Sequence, residues 1–94
     1  LKKHFEQSPY SKNIEIESQT ELRCIPPDGV PHTVISWLRD GRIIDPKRDA
    51  NYILTADGHL LIAQTRLSDM GNYSCVAENI ASRRVSEPAL LTVY

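Results

Sequence analysis

Apolar and polar residues alternate along this chain in short runs, and turn residues interrupt the runs every roughly 8–12 positions. No segment with helical periodicity is longer than about two turns. A period of two belongs to strands that bury one face and wet the other. The pattern predicts an all-β domain of eight or nine strands, folded as a sandwich of two antiparallel sheets.

The strands follow from the runs. A short first segment around residues 4–7 stops before Pro9. Residues 13–17 put Ile14 and Ile16 on one face. Residues 20–25 put Leu22 and Cys24 on one face, with Glu21 and Arg23 on the other. Pro26-Pro27-Asp28-Gly29 then breaks the chain, because tandem prolines supply no ladder donors. Residues 34–39 form the next strand, with Ile35 and Trp37 inward. Asp40-Gly41 reads as a two-residue hairpin turn, and residues 42–44 return from it. Residues 45–50, which include Pro46, form a polar connection. Residues 51–55 make a strand, Asp57-Gly58 marks a second tight hairpin, and Leu60 and Ile62 point inward beyond it. Residues 64–71 form a polar corner with room for one helical turn. Residues 72–78 place Tyr73, Cys75 and Ala77 on one face. After a turn at 79–82, residues 83–94 close the domain with Ala89, Leu91 and Val93 inward and Leu90 outward.

Ninety-four residues fit one small domain, 1–94, and an apolar content of 40% can fill its core. Twelve acidic residues against eleven basic ones give a formal charge of −1, unlike the basic excess of a general nucleic-acid binder. No apolar run approaches the ~18 residues that would cross a membrane, so no membrane contact by this domain is expected. The sequence opens on Leu1 and shows no leader; the expectation is a piece of a longer protein with its secretory signal upstream.

The two cysteines stand 51 positions apart, too far and too few for a metal site. They are either two buried thiols of a reduced domain or one disulfide. In a sandwich the inner faces lie about 10 Å apart, so Cys24 beside Leu22 and Cys75 beside Tyr73 and Ala77 can meet across the core if both faces look inward. Trp37, thirteen residues after Cys24, is placed to pack on that bridge. Tyr73, two residues before Cys75, occupies the position whose hydroxyl can bond back to the corner backbone. Leu60, and Asp69 at the head of Asp69-Met70-Gly71-Asn72-Tyr73-Ser74-Cys75, complete the set.

In this order and spacing, Cys24, Trp37-Leu38-Arg39-Asp40-Gly41, Leu60-Leu61-Ile62, Asp69 through Cys75, and Ala77-Glu78-Asn79 resemble the intermediate set of immunoglobulin domains over the whole chain. Ser82 departs from that set, which often carries glycine there. Phe5-Glu6-Gln7, Pro26-Pro27-Asp28-Gly29-Val30-Pro31, Ile44-Asp45-Pro46, Arg66-Leu67-Ser68-Asp69, Asn72 through Ala77 and Val93-Tyr94 look like the second immunoglobulin domain of the repulsive netrin receptors of the uncoordinated family. The resemblance implies the extracellular part of a single-pass axon-guidance receptor. It also implies a netrin-type protein ligand and a neighbouring immunoglobulin domain in the same chain.

Candidate chemistry is sparse. The carboxylates fall in loops and on outward strand positions, which reads as solvated surface rather than a catalytic pair. His4, His32 and His59 are too scattered to start a metal site. No nucleophile elbow or phosphate-cradling glycine loop occurs, so neither catalysis nor a cofactor is expected. Asn72-Tyr73-Ser74 is a glycosylation sequon, and an outward Asn72 could carry a glycan. Lys2, Lys3, Arg83 and Arg84 gather by topology at the amino-terminal pole, with Glu6, Asp28 and Asp57 near, and form the candidate partner-binding group. Heparan sulfate is a second candidate partner there. Two other readings of the same fold compete: a homophilic cell-adhesion domain, and a structural domain of an intracellular protein.

Overall fold

The computed structural model describes residues 5, 7–26 and 33–94. Nine strands are found among them: β1 (Lys12–Ile14), β2 (Thr20–Leu22), β3 (Val34–Arg39), β4 (Arg42–Ile43), β5 (Tyr52–Leu54), β6 (Leu60–Ile62), β7 (Gly71–Glu78), β8 (Arg83–Val85) and β9 (Ala89–Val93). One sheet runs β1-β9-β7-β3-β4, with β8 also on β7, and the other runs β2-β6-β5. Gln7 bridges Ile25 and lengthens the smaller sheet at its β2 side.

The two sheets close over the residues that the alternation turned inward. Leu22, Trp37, Leu60, Ile62, Tyr73 and Leu91 are at most 2% exposed. Cys24 and Cys75 are bonded to each other across this core. Trp37 stands directly across from Cys75 in the β3–β7 ladder, so its indole flanks the bridge. Its Nε1 donates to the carbonyl of Gly58 at 2.9 Å, which satisfies the one polar atom the ring buries.

Four expectations are corrected. The sheets are not wholly antiparallel, because β1 pairs with β9 in parallel, Lys12 opposite Leu91. Ile16 does not share the inward face of Ile14; β1 stops at Ile14, Glu17 takes a φ of 72°, and Ile16 is 43% exposed. The turn is held by Ile16 N–H on Tyr94 O and Glu17 N–H on Thr65 O.

Residues 83–94 are not one strand. Val85 pairs with Val76, yet Ala89 pairs with Tyr73, so the register slips by one residue between them. Pro88 in that gap has no N–H to give, and Ser86 just before it makes both bonds to Cys75: its N–H donates to Cys75 O at 2.9 Å and its hydroxyl accepts the Cys75 N–H at 2.9 Å. The slip turns Ala89, Leu91 and Val93 into the core while Val85 faces outward.

The loop at Asp57-Gly58 is wider than a two-residue turn. Thr55 N–H reaches His59 O and Gly58 N–H reaches Thr55 O, leaving three residues in the loop. Gly58 sits at φ 86°, and a Cβ there would lie 3.0 Å from Ile35 Cγ1, so glycine is required on both counts. The first hairpin is as expected, with Asp40 at φ 52° and Gly41 at φ 83°, the two left-handed residues of a type I′ turn.

Candidate functional site

Among the described residues, side-chain hydrogen bonds gather in the polar corner before β7. A 3₁₀ turn, Leu67–Asp69, carries Asp69 into the interior, where its side chain is 0% exposed. This corrects the solvated reading for Asp69 alone; the other described carboxylates are exposed or half-buried. Every lone pair of Asp69 is answered, as a buried charge requires. Oδ1 accepts from Tyr52 OH at 2.7 Å and Arg66 Nη2 at 2.9 Å. Oδ2 accepts from Arg66 N at 2.8 Å, Arg66 Nε at 3.1 Å and Asn51 Nδ2 at 3.3 Å. Its backbone carbonyl accepts from Tyr73 OH at 2.5 Å. Each phenol has one proton to give, and both are committed to Asp69, so the 3.2 Å approach of Tyr52 OH to Tyr73 OH is a contact between oxygens.

Burial by itself raises the Asp69 carboxyl, but the bonds from Arg66 and Tyr52 outweigh it and hold Asp69 below the usual carboxylate range. Burial, joined by the bond to Asp69 and the nearby Tyr73 oxygen, lifts the Tyr52 phenol well above its ordinary value, so it stays a donor. Arg66 also pairs with Asp49 at 2.7 Å. The guanidiniums of Arg39 and Arg66 stand 6.0 and 5.9 Å from the centre of the Tyr52 ring. None of these groups is free to do chemistry; the network fastens β5, the corner and β7 together. Among the described residues no cluster of His, Cys, Asp and Glu could hold a metal. His59 instead accepts the Cys24 N–H through Nδ1 at 3.0 Å, extending the β2–β6 ladder past its last strand residue.

The partner-binding residues expected at the amino-terminal pole are only partly placed. Lys2 and Lys3, like Glu6 and Asp28, lie outside the described residues. Arg83 is exposed and Arg84 half-buried on β8. Glu78 faces Arg83 directly across the ladder, so one of the two cations stands opposite a carboxylate. Asn72 is exposed near the start of β7, on the face opposite Tyr73 and Cys75.

The sandwich is open on its other side, where β4 ends one sheet and β5 ends the other. An apolar cleft of about 310 Å³ lies between them, walled by Ile43, Ile44, Pro46 and Leu54, with Trp37 and Leu60 at its base. A polar depression of about 560 Å³ adjoins it, lined by Arg39, Arg42, Arg48 and Tyr52 with Asp40, Asp45 and Asp49. The sequence reading weighed none of these residues as a surface. The one signal available was Arg66 three residues before Asp69, a pairing that reveals the network but not the clefts.

Residues 3–93 match the immunoglobulin I-set domain model. The amino-terminal Ig1-2 module of the Drosophila receptor protein tyrosine phosphatase DLAR superposes with a TM-score of 0.89 at 31% identity. The match covers 96% of this chain and 44% of that one. The titin I-band fragment I67–I69 superposes at 0.81 with 27% identity, over 95% of this chain and 31% of that one. The Ig-like domain of human leucine-rich repeat-containing protein 4 gives 0.78 and 28%, over 95% and 84%. This chain thus spans less than half of the DLAR module. The family's residues 3–93 take in the bonded Cys24–Cys75 pair, the flanking Trp37 and the Tyr73–Asp69 corner described above, and the chain belongs to the immunoglobulin I-set.

Proposed function

We propose that this domain is a protein-recognition module of an extracellular axon-guidance receptor, that its ligand is netrin-like, and that heparan sulfate is a second contact. One observation carries the reading: the stretches from Phe5-Glu6-Gln7 to Val93-Tyr94 that resemble the repulsive netrin receptors lie in a disulfide-bonded I-set domain. The likeness to a receptor phosphatase module supports a place outside the cell. Arg83 and Arg84 supply cations for a sulfated chain, and arginine suits this because its planar fork grips paired anionic oxygens.

The test is capture of netrin by a two-domain fragment holding this domain and its amino-terminal neighbour. Capture is expected. Arg83→Glu with Arg84→Glu should elute earlier from heparin and hold netrin less well, and added salt should act in the same direction. A fragment that melts as the parent does and captures no netrin overturns the ligand assignment. The likeness to titin favours a second reading, a structural intracellular domain, for which the Cys24–Cys75 pair would be reduced and Asn72 bare. A homophilic adhesion domain would instead self-associate in the ultracentrifuge.

A further inference from the structure

We propose that the open β4 edge is a docking site for an extended segment of a partner protein, added antiparallel, whose sequence reads apolar–any–acidic in chain order. The surface is separate from the amino-terminal pole and does not depend on the netrin reading.

The backbone sets the register. The Asp40-Gly41 turn makes Arg39–Arg42 the first pair of the hairpin, and Ile44 N–H donates to Trp37 O at 2.9 Å two residues on. Antiparallel pairs alternate between bonded and non-bonded. Leu38–Ile43, between those two, is the non-bonded pair. The N–H and C=O of Ile43 therefore point away from β3, and β4 is the last strand of its sheet. One incoming residue can exchange both bonds with Ile43.

The side chains then set the sequence. Residues flanking the one opposite Ile43 turn to the inner side, since faces alternate along a strand. One of them meets Ile44 and the apolar cleft beside it. The other meets Arg42 and the polar depression. In that depression Arg42 is exposed, and Arg48 is 89% exposed with only a 3.8 Å approach to Asp45. The Asp49 carboxylate is already taken by Arg66 at 2.7 Å. Asp40 and Asp45 balance the depression as a whole, but among the described residues Arg42 is in no ion pair, and a carboxylate opposite it answers that one cation. An antiparallel partner passes Ile44 before Arg42, so its large apolar residue comes two positions before its acid.

A second copy of this chain is the wrong occupant. Pairing Ile43 with its own symmetry mate would set Arg42 over the apolar cleft and Ile44 over the polar depression at both ends. A short strand with a charged neighbour also guards an edge against pairing. A guarded edge, however, has no use for an open cleft with Trp37 and Leu60 at its base.

Two capped heptapeptides of one composition test this, Ser-Thr-Phe-Thr-Glu-Thr-Ser and Ser-Thr-Glu-Thr-Phe-Thr-Ser, titrated into the isotopically labelled domain by NMR. The first should move the Ile43 amide and bind roughly tenfold more tightly than the second. N-methylation of its central Thr should abolish binding, because that N–H must reach Ile43 O. Arg42→Glu, on an exposed edge, should leave the fold intact and remove the preference. Equal binding of both orders, no saturable shift, or shifts that avoid Ile43 overturn the proposal. So does loss of the Ile43 amide signal on concentrating the protein alone, which would give the edge to a second copy.

Discussion

The phenolic oxygen of Tyr73 lies 2.5 Å from the backbone carbonyl of Asp69, four residues earlier in the chain. Both groups are buried, so the bond replaces one that water cannot make. Tyr73→Phe keeps the ring and deletes the donor, leaving a buried carbonyl unpaired. The expected cost is about 1–3 kcal/mol. In a domain of this size that lowers the melting temperature by at least ~4 °C. A Tyr73→Phe variant that melts with the parent would show that the Asp69 carbonyl finds another donor.

Acid should loosen the same corner. Asp49 is held low by its bond to Arg66, and Asp69 stays low despite its burial. A carboxyl with a depressed folded value binds its proton first in the unfolded chain. The stability it contributes is complete above the ordinary carboxylate value of about 3.9 and is lost as pH falls toward the folded value. The urea midpoint should be level from neutrality to about pH 5 and drop below about pH 4. Asp49→Asn removes one of the two groups and should make the drop shallower. Parallel acid slopes in variant and parent would show that Asp49 adds nothing to it.

The Cys24–Cys75 bridge closes a loop of 51 residues. Chain entropy assigns such a loop about 4 kcal/mol. The whole domain has on the order of 5–15 kcal/mol. Replacing both cysteines with alanine should therefore cut the melting temperature by well over ten degrees, roughly. A double variant within a few degrees of the parent would mean that packing by Trp37 and its neighbours holds the sheets without the bond.

Strand facing was legible because period-two alternation is a local property. Leu22, Cys24, Trp37, Leu60, Ile62, Tyr73 and Cys75 all lie where alternation put them. What failed was set by distant partners. The parallel pairing of β1 depends on where β9 runs, not on Lys12–Ile14 themselves. The slip between Val85 and Ala89 is a property of the β7 ladder. Asp69 stood out by its place ahead of Tyr73 and Cys75, but its burial by Tyr52 did not, because Tyr52 reaches it from β5, a distant stretch of the chain. The clefts beside β4 were invisible, since an opening between two sheet edges leaves no periodic trace in either strand.

Asn72 should carry a glycan when the protein passes through a secretory cell. The sequon needs an accessible asparagine, and Asn72 is exposed on the face opposite the buried Tyr73 and Cys75. Its side chain makes no bond that a glycan would have to break; its backbone is engaged by Asp40, the Asn72 N–H donating to Asp40 Oδ1 at 2.9 Å and the Asn72 carbonyl accepting the Asp40 N–H at 2.8 Å. A strand rises about 3.3 Å per residue, which puts Asn72 roughly 23 Å from Asn79 and the turn that leads to Arg83. The glycan should therefore leave the amino-terminal pole uncovered. Mass spectrometry of the secreted protein should show a glycan that Asn72→Gln removes. That variant should melt within about 0.5 kcal/mol of the parent, as surface changes do. It should also stay on heparin as long as the glycosylated form. An unmodified Asn72 in secreted protein would refute the site. Longer heparin retention once the glycan is gone would refute its distance from Arg83 and Arg84.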